Sequence, residues 1–300
     1  MMSATPFPLK DYIRLLRPAN IITSITDVLA GISLSGIFFI DQSRVALYTI
    51  VLLCVSTIGL YGGGIVFNDI FDASLDKIER PERPIPSGII PIQHAFIVGT
   101  VFFVVGVIAA FLVNFTAGCL AVFIVFAALL YDKWGKHHAL LGPPNMGLCR
   151  GLNLLLGVSI LPNQVVAVWY IALAPILYIG AITLISRGEV SGSTKKPLLV
   201  AAFLYAVVIS AIGSLANYNQ HFFLTATALL VFSWMVYRPL WIAIKNSSGK
   251  NIRKAVKAGI LGLIIINAGW ALASGVFLLA AIMLLMLPIS IWLGRFFAVT

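Results

Sequence analysis

The sequence predicts an all-α protein that crosses a membrane many times. Three observations predict it. Of the 300 residues, 60% are hydrophobic and only 10% are charged, whereas a soluble domain carries about 25% charged residues. Apolar runs near the ~20 residues that span a bilayer as a helix recur along the whole chain, and mean hydropathy is +1.03. The Lys and Arg fall almost entirely in every second connection, as the positive-inside rule requires.

The elements follow in order. In residues 8–17, Leu9, Ile13 and Leu16 alternate at helical spacing with Lys10, Asp11 and Arg14, which predicts a short amphipathic helix lying on the membrane. Apolar runs then occupy about 21–40, 46–67, 92–113, 115–131, 143–161, 165–186, 197–216, 220–238, 256–273 and 276–294. They predict nine spans, and ten if the last two runs, which touch at Ser274-Gly275, form a hairpin and not one broken helix. With the N-terminus cytoplasmic, the outer connections lie around Asp41–Arg44, Asn114, Leu161–Gln164, Asn217–Asn219 and Ser274. Arg44 is the basic residue among them. The rest of the 20 Lys and Arg lie on the inner side, Arg295 joining them only if the tenth span crosses. The expectation is therefore a multi-pass protein of the cell membrane, with residues 1–20 cytoplasmic or interfacial.

The net charge of +10 belongs to these short loops. No basic stripe with interleaved aromatics marks a polar face, so nucleic-acid binding is excluded. Cys54, Cys119 and Cys149 stand alone in apolar stretches and form neither a disulfide framework nor a CxxC pair. The longer polar loops, at 68–91, 132–142, 187–196 and 239–255, all fall on the inner side, so charged chemistry belongs at that end of the bundle.

The acidic residues concentrate there. Asp69, Asp72, Asp76, Glu79 and Glu82 fall where the second span meets the loop. If the helix continues, Asp69, Asp72 and Asp76 stand at i, i+3 and i+7 on one face, with Asn68 one turn before Asp72. Like charges so placed repel unless something neutralises them. A hard cation does so, and Mg²⁺ takes one or two carboxylates together with water and phosphate oxygens. The alternative is a solvated acidic helix end. Because the cluster begins inside a very apolar helix, where carboxylates mark function, the cation site is preferred. Pro81, Pro84 and Pro86 then break the helix and predict a stiff loop that offers Arg80 or Arg83 to a polyanion.

The run NDIFDASLDKIERPERPIPSG, Asn68 to Gly88, resembles the first aspartate-rich motif of the UbiA superfamily of intramembrane prenyltransferases, NDxxDxxxD followed by RPxRPxPSG. The resemblance extends over most of the chain. It includes Leu16-Arg17-Pro18 before the first span, the helix count and the inner loops after spans two, four and six. The wording around Asn145–Gly157 and 186–192 resembles the EboC-like branch most. The resemblance implies a single domain over 1–300, a UbiA-type bundle of nine or ten helices around a central cavity open to the cytoplasmic side. It implies Mg²⁺ on catalytic Asp69, Asp72 and Asp76, and transfer of an isoprenyl group from an isoprenyl diphosphate to a small or lipid acceptor. Asn68, Arg80 and Arg83 would bind the diphosphate beside the metal.

The second aspartate cluster of the superfamily, after span six, is replaced here by Ser186-Arg187-Gly188-Glu189-Val190-Ser191-Gly192. Arg187 either contacts the diphosphate in place of a metal, its planar fork suiting phosphate oxygens, or only orients the helix. In Tyr131-Asp132-Lys133-Trp134-Gly135-Lys136, the resemblance to a Tyr/Lys segment places Tyr131 in the cavity and Lys136 on the diphosphate. Arg150 lies about two turns into span five and needs a partner or a watery cavity. It either faces the cavity and the diphosphate, the preferred reading, or pairs with Asp27 or Asp132. Asn153 continues its stripe, and Asn20 and Asp27 of span one line the same cavity. Gly147 and Gly151 permit close helix packing. Two other classes remain: a lipid- or isoprenoid-binding membrane component that catalyses nothing, and an ion-coupled transporter, which only Asp27 supports.

Overall fold

The structure, a computed structural model, describes residues 9–40, 47–138, 140–189 and 192–296. Arg44 in the first outer connection, Pro8 of the amphipathic segment, and Val190 and Ser191 of the loop after span six lie outside the described residues. The described residues form helices joined by short turns, with no strand.

The amphipathic segment forms α1 (Leu9–Leu16). It buries Leu15 against Val66, Ile85, Ile90 and Ala95, while Leu9 and Ile13 stay exposed. At its end Arg17 takes a left-handed backbone (φ 46°), and Pro18 opens α2 (Pro18–Leu34). That backbone costs a non-glycine residue on the order of 1 kcal/mol. The sharp turn swings the Arg17 side chain inward, under the bundle.

After Gly36 comes the single turn α3 (Ile37–Ile40). The second span is α4 (Leu47–Phe71), continued after Asp72 by α5 (Ala73–Glu79). The amides of Asp72 and Asp76 still bond the carbonyls of Asn68 and Asp72, so the helical path bends without breaking. The proline loop that follows is packed and not free: Ile85 and Ile90 are buried, and the Ile90 amide bonds the Pro84 carbonyl.

Then come α6 (Ile92–Val113), α7 (Phe115–Lys133), α8 (Gly142–Val158), the short α9 (Pro162–Val168) running through a 3-10 turn into α10 (Leu173–Ser186), α11 (Lys195–Tyr218), α12 (Phe222–Lys245), α13 (Gly249–Ala273) and α14 (Phe277–Phe296). Each apolar run of the sequence is helical. Gly275 (φ 78°) turns the chain between the last two, and α13 packs on α14, so they form a hairpin. Among the described residues nine helices are long and apolar enough to cross a membrane. The run outside that set is α8, which has only 17 residues and carries Arg150 and Asn153 among its apolar side chains.

The helices divide into an inner pair and a surround. In α2 and α13 the apolar window is 67% and 78% buried, against 28% in α6 and 22% in α14. Phe96, Val101, Val104, Ile108 and Leu112 of α6 point outward, which suits contact with lipid tails. The inner pair touches directly and α8 packs on α2. At the α2–α8 crossing a methyl on Gly31 would lie 2.0 Å from the Leu154 carbonyl oxygen, and one on Gly157 2.1 Å from that of Val28. Only glycine allows this approach. It brings Asp27 of α2 beside Arg150 and Asn153 of α8. Gly147 similarly faces the α10 backbone at Ile176, and Gly151 the preceding 3-10 turn at Ala172.

Candidate functional site

A cavity of about 400 Å³ opens among α2, α4, α7, α8, α10 and α13. One end is charged: Arg17, Asn68, Asp72, Arg80, Asp132 and Lys136 line it. Tyr131, next to Asp132, belongs to the same end, and farther in are Asn20, Tyr61, Arg150 and Asn153. Leu60, Ile65, Ile124, Ile179, Ile182, Ile260 and Leu263 form apolar walls.

At the charged end the three carboxylates of the aspartate motif do not gather on one point. Asp69 is bonded by Arg17, and also by Arg83 at 3.3 Å. Arg83 turns its same Nη1 to Asp76 at 2.6 Å. Asp69 and Asp76 thus share a guanidinium from the proline loop, which explains why that loop lies down on the helix end. Asp72 turns the other way, into the cavity lining, where Lys136 donates to it at 2.6 Å. Asn68 lies one turn before it, and its Nδ2 donates to Asp132 at 2.7 Å. The helical wheel put the three aspartates on one face; partners from three other segments divide that face in two. Among the described residues no three His, Cys, Asp or Glu side chains converge as a ligand set.

Burial acts against the charge of Arg17, lowering its pKa, and the nearby Asp69 opposes that shift. The partly buried ion pair therefore holds a charged guanidinium on the cavity wall, and Arg80 stands near it in the lining.

The inner end is a hydrogen-bonded network. Arg150 donates to Asp27 at 2.7 Å, to Thr23 at 2.8 Å and to the Tyr61 hydroxyl at 2.8 Å, and its guanidinium lies over the Tyr61 ring. Asn153 donates to Asp27 and to the Ser24 carbonyl. Asn267 of α13 donates to the other Asp27 oxygen at 2.8 Å. Arg150 lines the cavity, as expected, and it also makes the pair with Asp27 that was the alternative reading. Its terminal nitrogens are engaged by α2 and α4, because a charge this deep needs a close counter-charge; its Nε has no hydrogen-bond partner. Asp27, expected in the cavity, is outside its lining; it lies behind Arg150, with both carboxylate oxygens bonded.

In the loop after α10 the structure favours the second of the two readings of Arg187, an anchoring role. Arg187 is exposed, outside the cavity lining, and its Nη2 donates to the His138 carbonyl at 3.0 Å. It fastens the loop before α8. Glu189 is half-buried, which raises its carboxyl pKa against the opposing influence of Arg253 and Arg80. It too stands outside the lining.

Four contributors escaped the sequence reading as site residues: Arg17, Tyr61, Asp132 and Asn267. Asn267 had a usable signal, a lone amide in an apolar helix. Arg17 had another, a cation directly before a helix-opening proline. Asp132 was weighed only as a partner for Arg150.

Comparison with known proteins matches the model of the UbiA prenyltransferase family over residues 29–191, just over half of the chain. A digeranylgeranylglyceryl phosphate synthase from Sulfurisphaera tokodaii is 33% identical over 148 residues, 49% of this chain and 51% of that protein. The synthase of the same name from Methanosarcina mazei is 40% identical over 99 residues, 33% of this chain and 34% of that one. The matched regions thus span about half, or less, of these relatives' length. In structure, digeranylgeranylglyceryl phosphate synthase superposes with a TM-score of 0.63 at 23% identity, over 89% of this chain and 98% of that one. A UbiA homolog from Archaeoglobus fulgidus bound to DMAPP and Mg²⁺ gives 0.62 at 15% identity, over 84% and 99%. These likenesses show a common fold. With nine apolar helices of spanning length, the protein is a multi-pass integral membrane protein. The chain belongs to the UbiA prenyltransferase family.

Proposed function

We propose that this protein transfers an isoprenyl group from an isoprenyl diphosphate to an acceptor, with Mg²⁺, at the charged end of the cavity. The observation that carries the reading is the division of that cavity. Cations and oxygen donors meet at one end, and an apolar wall runs on from them. An isoprenyl diphosphate has the same two parts.

The donor set suits Mg²⁺. Asp72 and Asn68 lie on the cavity face, and Asp132 adjoins them. One or two carboxylates with an amide oxygen leave the remaining positions to water and phosphate, as this cation prefers. Asp72 and Asn68 would hold it. Asp76, expected beside them, reaches the set only by releasing Arg83. When bound, the cation supplies charge to stabilise the departing diphosphate.

The chain's own residues do the rest. Arg17, Arg80 and Lys136 face the diphosphate, and Arg17 and Lys136 are held in place by the carboxylates they pair with. The isoleucine and leucine walls take the chain and exclude water from C1. The C1–O bond breaks with its electron pair leaving on the diphosphate. The acceptor forms the new bond to C1, and its proton passes to the released diphosphate. By the sidedness of Lys and Arg this end faces the cytoplasm. The two relatives' name makes glyceryl phosphate lipids the first acceptors to try.

Purified protein, labelled isoprenyl diphosphates of several lengths, Mg²⁺ and a panel of glyceryl phosphate lipids and aromatic acceptors would test this. The expected result is a labelled product that disappears with Asp72→Ala. Binding without turnover, insensitive to Asp72→Ala, would favour the carrier reading.

A further inference from the structure

We propose that Asp132 is a positioning residue for this site, acting through Asn68. The inference deepens the proposed function and rests on it.

Asp132 sits in the last turn of α7 and is 4% exposed. It belongs to a different helix from the aspartate motif. A carboxyl oxygen that faces the NH₂ of an amide accepts its hydrogen bond. The observed bond, Nδ2 to Oδ1 at 2.7 Å, has that sense. Fixing Nδ2 fixes Oδ1 on the opposite side of the same plane. Asn68 and Asp72 are one helical turn apart and both line the cavity, so the amide oxygen and the carboxylate present two hard donors along one face. Rotated by half a turn, the same amide would present two N–H groups there. Those repel a cation and compete for Asp72.

A second contact runs parallel to the first. Lys136, four residues after Asp132, bonds Asp72, four residues after Asn68, at 2.6 Å. The segment from Asp132 to Lys136 therefore grips the segment from Asn68 to Asp72 at both ends, in register. It sets the orientation of both donors from outside the motif. Groups behind a metal ligand that fix its rotation characteristically change metal affinity by about 10–100-fold when removed.

The test uses the full chain in detergent, with Mn²⁺ as the spectroscopic probe and inorganic pyrophosphate as its co-ligand. Mn²⁺ binding is read from its electron paramagnetic resonance signal, and folding from the melting temperature. Asp132→Asn keeps size and shape but lets either atom of the residue 68 amide face it. Its Mn²⁺ affinity is expected to fall about 10-fold or more, with the melting temperature held. Asn68→Ala should lose a similar factor, and the double variant should be no weaker than Asn68→Ala alone. Asp132→Glu, which keeps a carboxyl oxygen to accept from Asn68, should recover most of the affinity. Wild-type affinity in Asp132→Asn would overturn the positioning role, and so would a loss that persists undiminished in the Asn68→Ala background. In both cases wild-type binding leaves the proposed function standing. A wild-type chain that binds no Mn²⁺ with pyrophosphate overturns the proposed function and this role with it.

Discussion

The two ends of the cavity are built from the same kinds of group but do different things. At the inner end Asp27 and Arg150 are 1% and 4% exposed as side chains, and α2, α4, α8 and α13 supply partners to the carboxylate and to both terminal nitrogens of the guanidinium. At the charged end Asp72 and Lys136 form an ion pair of nearly the same length, yet remain 20% and 12% exposed. The first pair has its partners built in. The second borders open space and can exchange partners. Exposure to the cavity, more than charge itself, separates a structural ion pair from a site.

Substitutions can break this comparison. The largest effect is expected from Arg150→Ala. Removing one partner of a buried ion pair costs about 3–5 kcal/mol, so little folded protein should be recovered by size-exclusion chromatography in detergent. Replacing both partners together, Asp27→Leu with Arg150→Met, should restore most of the melting temperature, because an apolar pair of similar volume is often neutral. A well-folded Arg150→Ala that had lost only diphosphate binding would make the inner end functional and erase the contrast.

Asp72→Ala comes next. It should keep the melting temperature and reduce Mg²⁺-dependent transfer on the order of 100-fold, as measured by product formation. Arg83→Ala lies between the two behaviours. It strips Asp76 of its cation and Asp69 of one of two, at a cost of about 1–3 kcal/mol. The loop from Arg80 to Ile90 should then be cut faster in limited proteolysis. Arg187→Ala should change least. Stability should stay within about 0.5 kcal/mol, and pyrophosphate affinity, measured by calorimetry with Mg²⁺, should match wild type.

What the sequence made legible follows from the range of the interactions involved. Helices came through because each is a local property: a run of apolar residues of spanning length. The α13–α14 hairpin was legible as a choice, and Gly275 decides it. The acidic helix end and its proline loop were also readable, because the whole motif lies within one short stretch. The pairing was not. A helical wheel puts Asp69, Asp72 and Asp76 together, but it cannot say that Arg17 arrives from a strained turn 52 residues earlier while Lys136 arrives from 64 residues later. Arg150 was legible as a charge needing help. Its helper, 123 residues away, depends on the Gly31–Gly157 crossing, which no local pattern announces. Arg187 was legible only as a choice between a phosphate ligand and an anchor, because its chemistry fits both. Its place outside the cavity is a matter of where α10 ends.

The most direct measurement is an experimental structure of the protein with Mg²⁺ and a non-reactive isoprenyl diphosphate analogue. The metal is expected about 2.1 Å from an Asp72 oxygen, with the diphosphate toward Arg17, Arg80 and Lys136, the chain against Ile179 and Ile182, and Arg150 still on Asp27. A diphosphate seated on Arg150, with Asp72 and Asn68 turned away from the metal, would contradict it.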